Sequence, residues 1–144
     1  AGKPDAKVVE ELLKDPFFAK TPPKSLDRNY FNFDKLAKLS TEDGAATLVE
    51  FAAAAVAKGA AFFPAKAKQW FVSGGGRHNP ALMTELKRHL EHVYPVEALG
   101  WVGDALEAQA FAFLAMRSLK RLPISLPTTT GAKIAVTGGA LYRV

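Results

Sequence analysis

Cysteine is absent from this 144-residue chain, which excludes disulfides and thiolate chemistry and is compatible with a reducing cytoplasm, the compartment expected for it. Acidic residues are absent beyond Glu107, whereas Arg117, Lys120, Arg121, Lys133 and Arg143 all follow it. The net charge of +5 therefore lies in the C-terminal quarter, where it could face phosphates, nucleic acid or an acidic neighbouring domain. Aromatic residues do not interleave with these cations, so a solvated basic surface is favoured and no nucleic-acid partner is expected. Long uninterrupted apolar runs are missing as well. The alanine-rich stretches Ala45 to Phe63 and Ala105 to Met116 are broken by Glu50 and Lys58, and by Glu107 and Gln109. Spanning a bilayer takes roughly 20 apolar residues, so neither is expected to do so and no membrane partner is expected. Ala1 to Asp5 has no apolar signal region.

What remains is an ordinary globular composition, 49% hydrophobic and 23% charged, long enough for one domain with a core. Pro4 to Lys14 reads as a short helix with Val8, Val9, Leu12 and Leu13 on one side. Asp15-Pro16 stops it, Phe17 and Phe18 turn inward, and Thr21 to Ser25 is an extended proline loop. Tyr30 to Leu39 forms a short amphipathic segment. A helix starts with Thr41 as its N-cap and ends near Phe63, before Pro64. Strands are expected at Lys68 to Ser73 and Val93 to Leu99, the second an edge because of Pro95. Gly103-Asp104 opens the most hydrophobic helix, apolar nearly all round to Met116 and therefore centrally buried. Pro123 to Gly131 is a loop, and Lys133 to Val144 adds one or two strands. Three short strands make a thin sheet, so further strands are expected from polypeptide outside this chain.

The most informative stretch is Trp70 to Leu82. An apolar strand runs into Gly74-Gly75-Gly76, and Asn79-Pro80 then opens a helix carrying Leu82, Leu86 and Leu90 on one face. Glycines let backbone N–H groups approach a ligand, and a helix start offers free donors and a positive dipole end. Asn79 suits the N-cap and Pro80 the first helical position. The stretch is neither a P-loop nor a dinucleotide fingerprint nor a nucleophile elbow. It could be a nucleotide cradle or a plain strand-to-helix turn.

Other residues offer chemistry at lower specificity. Glu107 is the lone acid in an apolar helix and could accept hydrogen bonds from substrate hydroxyls or orient a reacting group, but Asp104 and Glu107 also spell a capping box, and spacing favours the cap. His89 and His92 have a helical metal spacing without an obvious acidic partner, and are read as exposed residues at a helix end with no metal. His78 sits in the glycine bend, and Lys24 and Arg28 flank the proline loop where either could meet phosphate. No Ser-His-Asp arrangement can be built.

Five blocks in order resemble the C-terminal portion of anhydro-N-acetylmuramic acid kinases, from about residue 15 to 132. They are Asp15-Pro16-Phe17-Phe18; Pro23-Lys24-Ser25 with Arg28 and Phe31-Asn32; Gly74-Gly75-Gly76 with His78-Asn79-Pro80; Asp104 to Ala112; and Leu126-Pro127 with Thr130-Gly131-Ala132. The resemblance implies an α/β chain, helix-rich with few strands, forming the C-terminal lobe of an actin-like, hexokinase-like (ribonuclease H-like) ATPase fold. Residues 1–144 would be that single lobe. It implies ATP and Mg²⁺ as cofactors, nucleotide binding by Gly74, Gly75, Gly76 and Asn79, and contact of Glu107 with an anhydro-amino-sugar. The full-length family phosphorylates 1,6-anhydro-N-acetylmuramic acid with ring opening in cell-wall recycling. It also implies that the general base lies in an absent N-terminal lobe, so that no catalytic residue is present and this chain alone is inactive, and that a homodimer forms. The alternative is a non-catalytic nucleotide-binding or regulatory module of the same superfamily. A tRNA-modifying relative would need a paired-histidine metal motif that is not identifiable. The sequence departs from the family pattern at Leu26, Asp27 and Asn29, and at Arg77, where a small residue is common.

Overall fold

A computed structural model describes residues 2–27 and 29–142. Among them the chain is helix-rich with few strands. Helix α1 (Ala6–Leu12) is capped by Asp5, whose carboxylate accepts from the N–H groups of Lys7 and Val8. Asp15 then caps a 3₁₀ turn at Pro16–Ala19, with Pro16 at its start. A second 3₁₀ turn, Asp34–Lys38, leads to α2 (Thr41–Gly59). Ser40, not Thr41, caps α2: its hydroxyl accepts from the Asp43 N–H, which places Thr41 inside the helix.

A 3₁₀ turn, Ala60–Phe62, continues α2, giving 22 helical residues with a hydropathy of 1.4 over the most apolar stretch. By length and composition alone this helix is apolar enough to cross a membrane, Glu50 and Lys58 being too few to lower its hydropathy, a test that the core helix of a soluble protein also passes. Its inward side is packed. Thr47 is fully buried, accepting from the Asp5 N–H at 2.9 Å and donating to the Asp43 carbonyl at 2.7 Å, so it ties α1 to α2. One helical turn on, Phe51 meets Phe18, Phe31 and Phe33 with ring centroids 6.2, 5.2 and 6.3 Å away.

The sheet has two parallel strands, β1 (Trp70–Val72) and β2 (Val93–Pro95), in register Trp70 to Val93. Helix α3 (Pro80–His89) connects them. Its face at Met83 and Leu86 packs with Ala53 of α2 and Val93 of β2, and Trp70, Val72, Leu82 and Leu90 close around that core. Both strands are shorter than expected, because 3₁₀ turns take over at Gly75–His78 and Val96–Leu99. The third strand does not form among the described residues. There, Ser125 and Val136 make a single antiparallel bridge, and Pro127–Thr130 is a short helix, α5, rather than loop.

Helix α4 (Leu106–Leu119) differs most from expectation. None of its residues is buried, and Phe111 and Phe113 are 65% and 61% exposed. An all-round apolar helix requires cover on every side, and the described residues cover only part of it. Apolar pattern reports the need for a neighbour, not its presence in the same segment.

Candidate functional site

Strand β1 delivers the chain to Ser73 and Gly74 beside the beginning of α4. Gly74 has φ +75°, in the left-handed region that glycine enters without strain. A Cβ built on Gly74 or Gly75 would meet no atom within 4 Å, so the bend opens onto free space. Gly75 and Gly76 begin the 3₁₀ turn, and among the described residues no carbonyl or side chain accepts from their N–H groups. These are the features of an anion-accepting backbone.

Ser73, Gly74 and Gly75 form one wall of a cavity of about 410 Å³, and Gly103, Asp104 and Glu107 stand on the other. Three of the expected site residues, Gly74, Gly75 and Glu107, thus share one cavity although 33 positions separate Gly74 from Glu107. Gly76 and Asn79 do not line it. A Cβ at Gly76 would lie 3.2 Å from Leu82 Cδ2, so that glycine serves close packing onto α3. Asn79 caps α3, its Oδ1 accepting from Ala81 and Leu82 at 3.0 and 3.2 Å, and Pro80 follows as the first helical residue.

The capping box between Asp104 and Glu107 does not form. A 3₁₀ turn at Gly103–Ala105 precedes α4, Ala105 takes the cap position, and no side chain caps the helix. Asp104 instead lies 2.8 Å from Arg77 Nη2 and 3.2 Å from His78 Nε2, with both contacts on Oδ1. A guanidinium at that distance outcompetes a backbone amide for the carboxylate. Glu107 is therefore free of a capping role, exposed in the cavity wall, with no side-chain hydrogen bond among the described residues.

Arg77, noted in the sequence only as a departure from the family pattern, has a side chain that is 3% exposed and does not line the cavity. Nε donates to Glu97 Oε1 at 2.8 Å and Nη1 to the Gly74 carbonyl at 2.9 Å. Burial opposes its charge, but Asp104 and Glu97 outweigh that and raise its pKa. Arg77, then His78, hold the Asp104 carboxyl below its ordinary value. Glu97 is lowered by its own backbone N–H and then by Arg77. No local pattern links positions 77, 97 and 104; only the tertiary fold joins them.

Lys24 is engaged in structure. Its ammonium donates to the carbonyls of Phe17 and Phe18 at 3.0 and 3.3 Å and lies 4.1 Å from the centre of the Phe62 ring. Arg28 lies outside the described residues. His89 meets Glu50 at 2.9 Å, with Glu85 beside it, rather than His92. The acidic partners that seemed missing come from α2 and the preceding turn of α3. The His89 imidazole and Arg88, 3.5 Å from Glu50, draw that carboxyl down despite the opposing effect of its burial.

Two parallel strands joined through α3, with a cavity between the glycine bend and Glu107, define a helix-rich portion of an α/β protein. The family model described as anhydro-N-acetylmuramic acid kinase matches residues 1–144. A protein of that name from Rhodospirillum rubrum is 52% identical over 143 residues, 99% of this chain and 38% of its own length. Those from Acidiphilium cryptum and Paramagnetospirillum magneticum are 52% and 53% identical, covering 99% and 96% of this chain and 40% of theirs. The chain belongs to the anhydro-N-acetylmuramic acid kinase family. It spans about two-fifths of the length of the curated relatives it matches, 38–40%.

Proposed function

We propose that this chain is the C-terminal lobe of an actin-like, ATP-dependent amino-sugar kinase acting in cell-wall recycling. Its substrate would be 1,6-anhydro-N-acetylmuramic acid. Water supplies the hydroxyl at the opened anomeric carbon, and the freed 6-oxygen takes the γ-phosphoryl group of ATP, leaving ADP and N-acetylmuramic acid 6-phosphate.

The observation that carries this reading is the shared cavity: glycine amides on one wall and the Glu107 carboxylate on the other, neither with a partner among the described residues. The amides and open space at Gly74 and Gly75 fit phosphate oxygens, and Glu107 fits a sugar hydroxyl. Gly76 and Asn79 would support the bend and the start of α3. Bound with ATP, Mg²⁺ would supply charge neutralisation at the phosphates beside the Gly74–Gly75 bend. The general base would come from the rest of the longer protein, which also offers cover for the apolar face of α4.

Calorimetric titration with Mg-ATP and the anhydro-sugar tests the reading. The complete protein should bind both, and Gly75→Val should abolish nucleotide binding by filling the space in front of the bend. Unchanged ATP affinity in folded Gly75→Val protein would refute it.

A further inference from the structure

Arg77 is anchored in three directions. Nη1 holds the Gly74 carbonyl at the turn of the bend, Nε holds Glu97 in the turn after β2, and Nη2 holds Asp104 at the threshold of α4. Glu97 Oε1 accepts a second hydrogen bond, from the Gly103 N–H at 3.3 Å. The segments meet so closely that a Cβ on Gly103 would stand 2.5 Å from Arg77 Nε and 2.7 Å from Glu97 Oε1. Gly103 is buried, and the guanidinium itself does not border the cavity.

We propose that Arg77 is a positioning residue, clamping the glycine bend to the beginning of α4 and so fixing the gap between Gly74–Gly75 and Glu107. A planar guanidinium presents its donors in a fixed fork, so three simultaneous contacts set both distance and orientation. Lysine carries the charge without the fork. The inference rests on the proposed role of the cavity, because the gap matters only if one active complex occupies both walls.

Both walls move relative to their ligands when the clamp is lost, so the KM values for ATP and for the anhydro-sugar should rise together. The test uses Arg77→Met, Arg77→Lys and Glu97→Gln in the complete enzyme, with kcat, both KM values and thermal unfolding measured for each. Arg77→Met should raise both KM values about tenfold or more, a larger change than in kcat, reporting lost ground-state positioning. Arg77→Lys should recover part of that loss, and Glu97→Gln should raise both about threefold. A role in folding alone would lower the unfolding temperature and leave both KM values within about twofold, which overturns the proposal. Should Arg77→Met fail to fold, Glu97→Gln decides by the same threshold. Gly75→Val separates the two layers. If it retains ATP affinity, the cavity reading fails; if it loses ATP while the clamp variants keep their KM values, only the clamp fails.

Discussion

At the residue scale, Asn79 holds the first turn of α3, its Oδ1 accepting from the Ala81 and Leu82 N–H groups at 3.0 and 3.2 Å. Asn79 was legible as an N-cap because a capping residue acts on the two or three amides that follow it. Asn79→Ala should cost about 1 kcal/mol in urea unfolding, since it frees the Ala81 and Leu82 N–H groups. Asp104 was misread because its sequence neighbour Glu107 fitted a capping box, whereas its partner Arg77 is supplied by the fold. That pairing has a pH signature. Asp104 and Glu97 both titrate below their ordinary range in the folded chain. Their stabilising contribution is complete above the unfolded-state pKa values, about 4, and is lost as pH falls through the lower folded values. Thermal unfolding from pH 6 down to 2 should show this loss. Arg77→Met should flatten the acid limb, because the guanidinium that holds the Asp104 carboxyl down is lost. An unchanged acid limb would remove the pairing from the account.

At the scale of elements, α3 and α4 make opposite cases. The four-residue spacing of Leu82, Leu86 and Leu90 identified the inner face of α3, and Leu86 sits in the core with Met83, Ala53 and Val93. Leu86→Ala should cost about 2–5 kcal/mol, read from the denaturant midpoint. The same logic placed α4 at the centre, but helix periodicity cannot say which polypeptide provides the opposing surface. Helix α4 should therefore exchange its amide hydrogens faster than α2 and α3 in the 144-residue chain. In the complete protein its exchange should slow to match them. Equal protection of α4 in both forms would contradict the view that further chain covers it. The third strand is short of partners in the same way: among the described residues, the segment from Lys133 to Leu141 makes one bridge, between Val136 and Ser125.

At the scale of the whole molecule, the glycine bend and Glu107 were each visible as candidates, while their meeting in one cavity required the turn from β2 into α4. Family blocks distributed from Asp15 to Ala132 compensated for that gap, because their order reflects the fold that joins them. The isolated chain should not turn over ATP with the anhydro-sugar, since phosphoryl transfer needs several groups placed at once. Coupled ADP release should stay at background for this chain and rise for the complete protein. The most direct measurement is a crystal structure of the complete protein with Mg²⁺ and a non-hydrolysable ATP analogue. Phosphate oxygens should lie within hydrogen-bond distance of the Gly74 and Gly75 amides; phosphates seated on another segment, with that bend left open, would overturn the assignment of the bend to ATP.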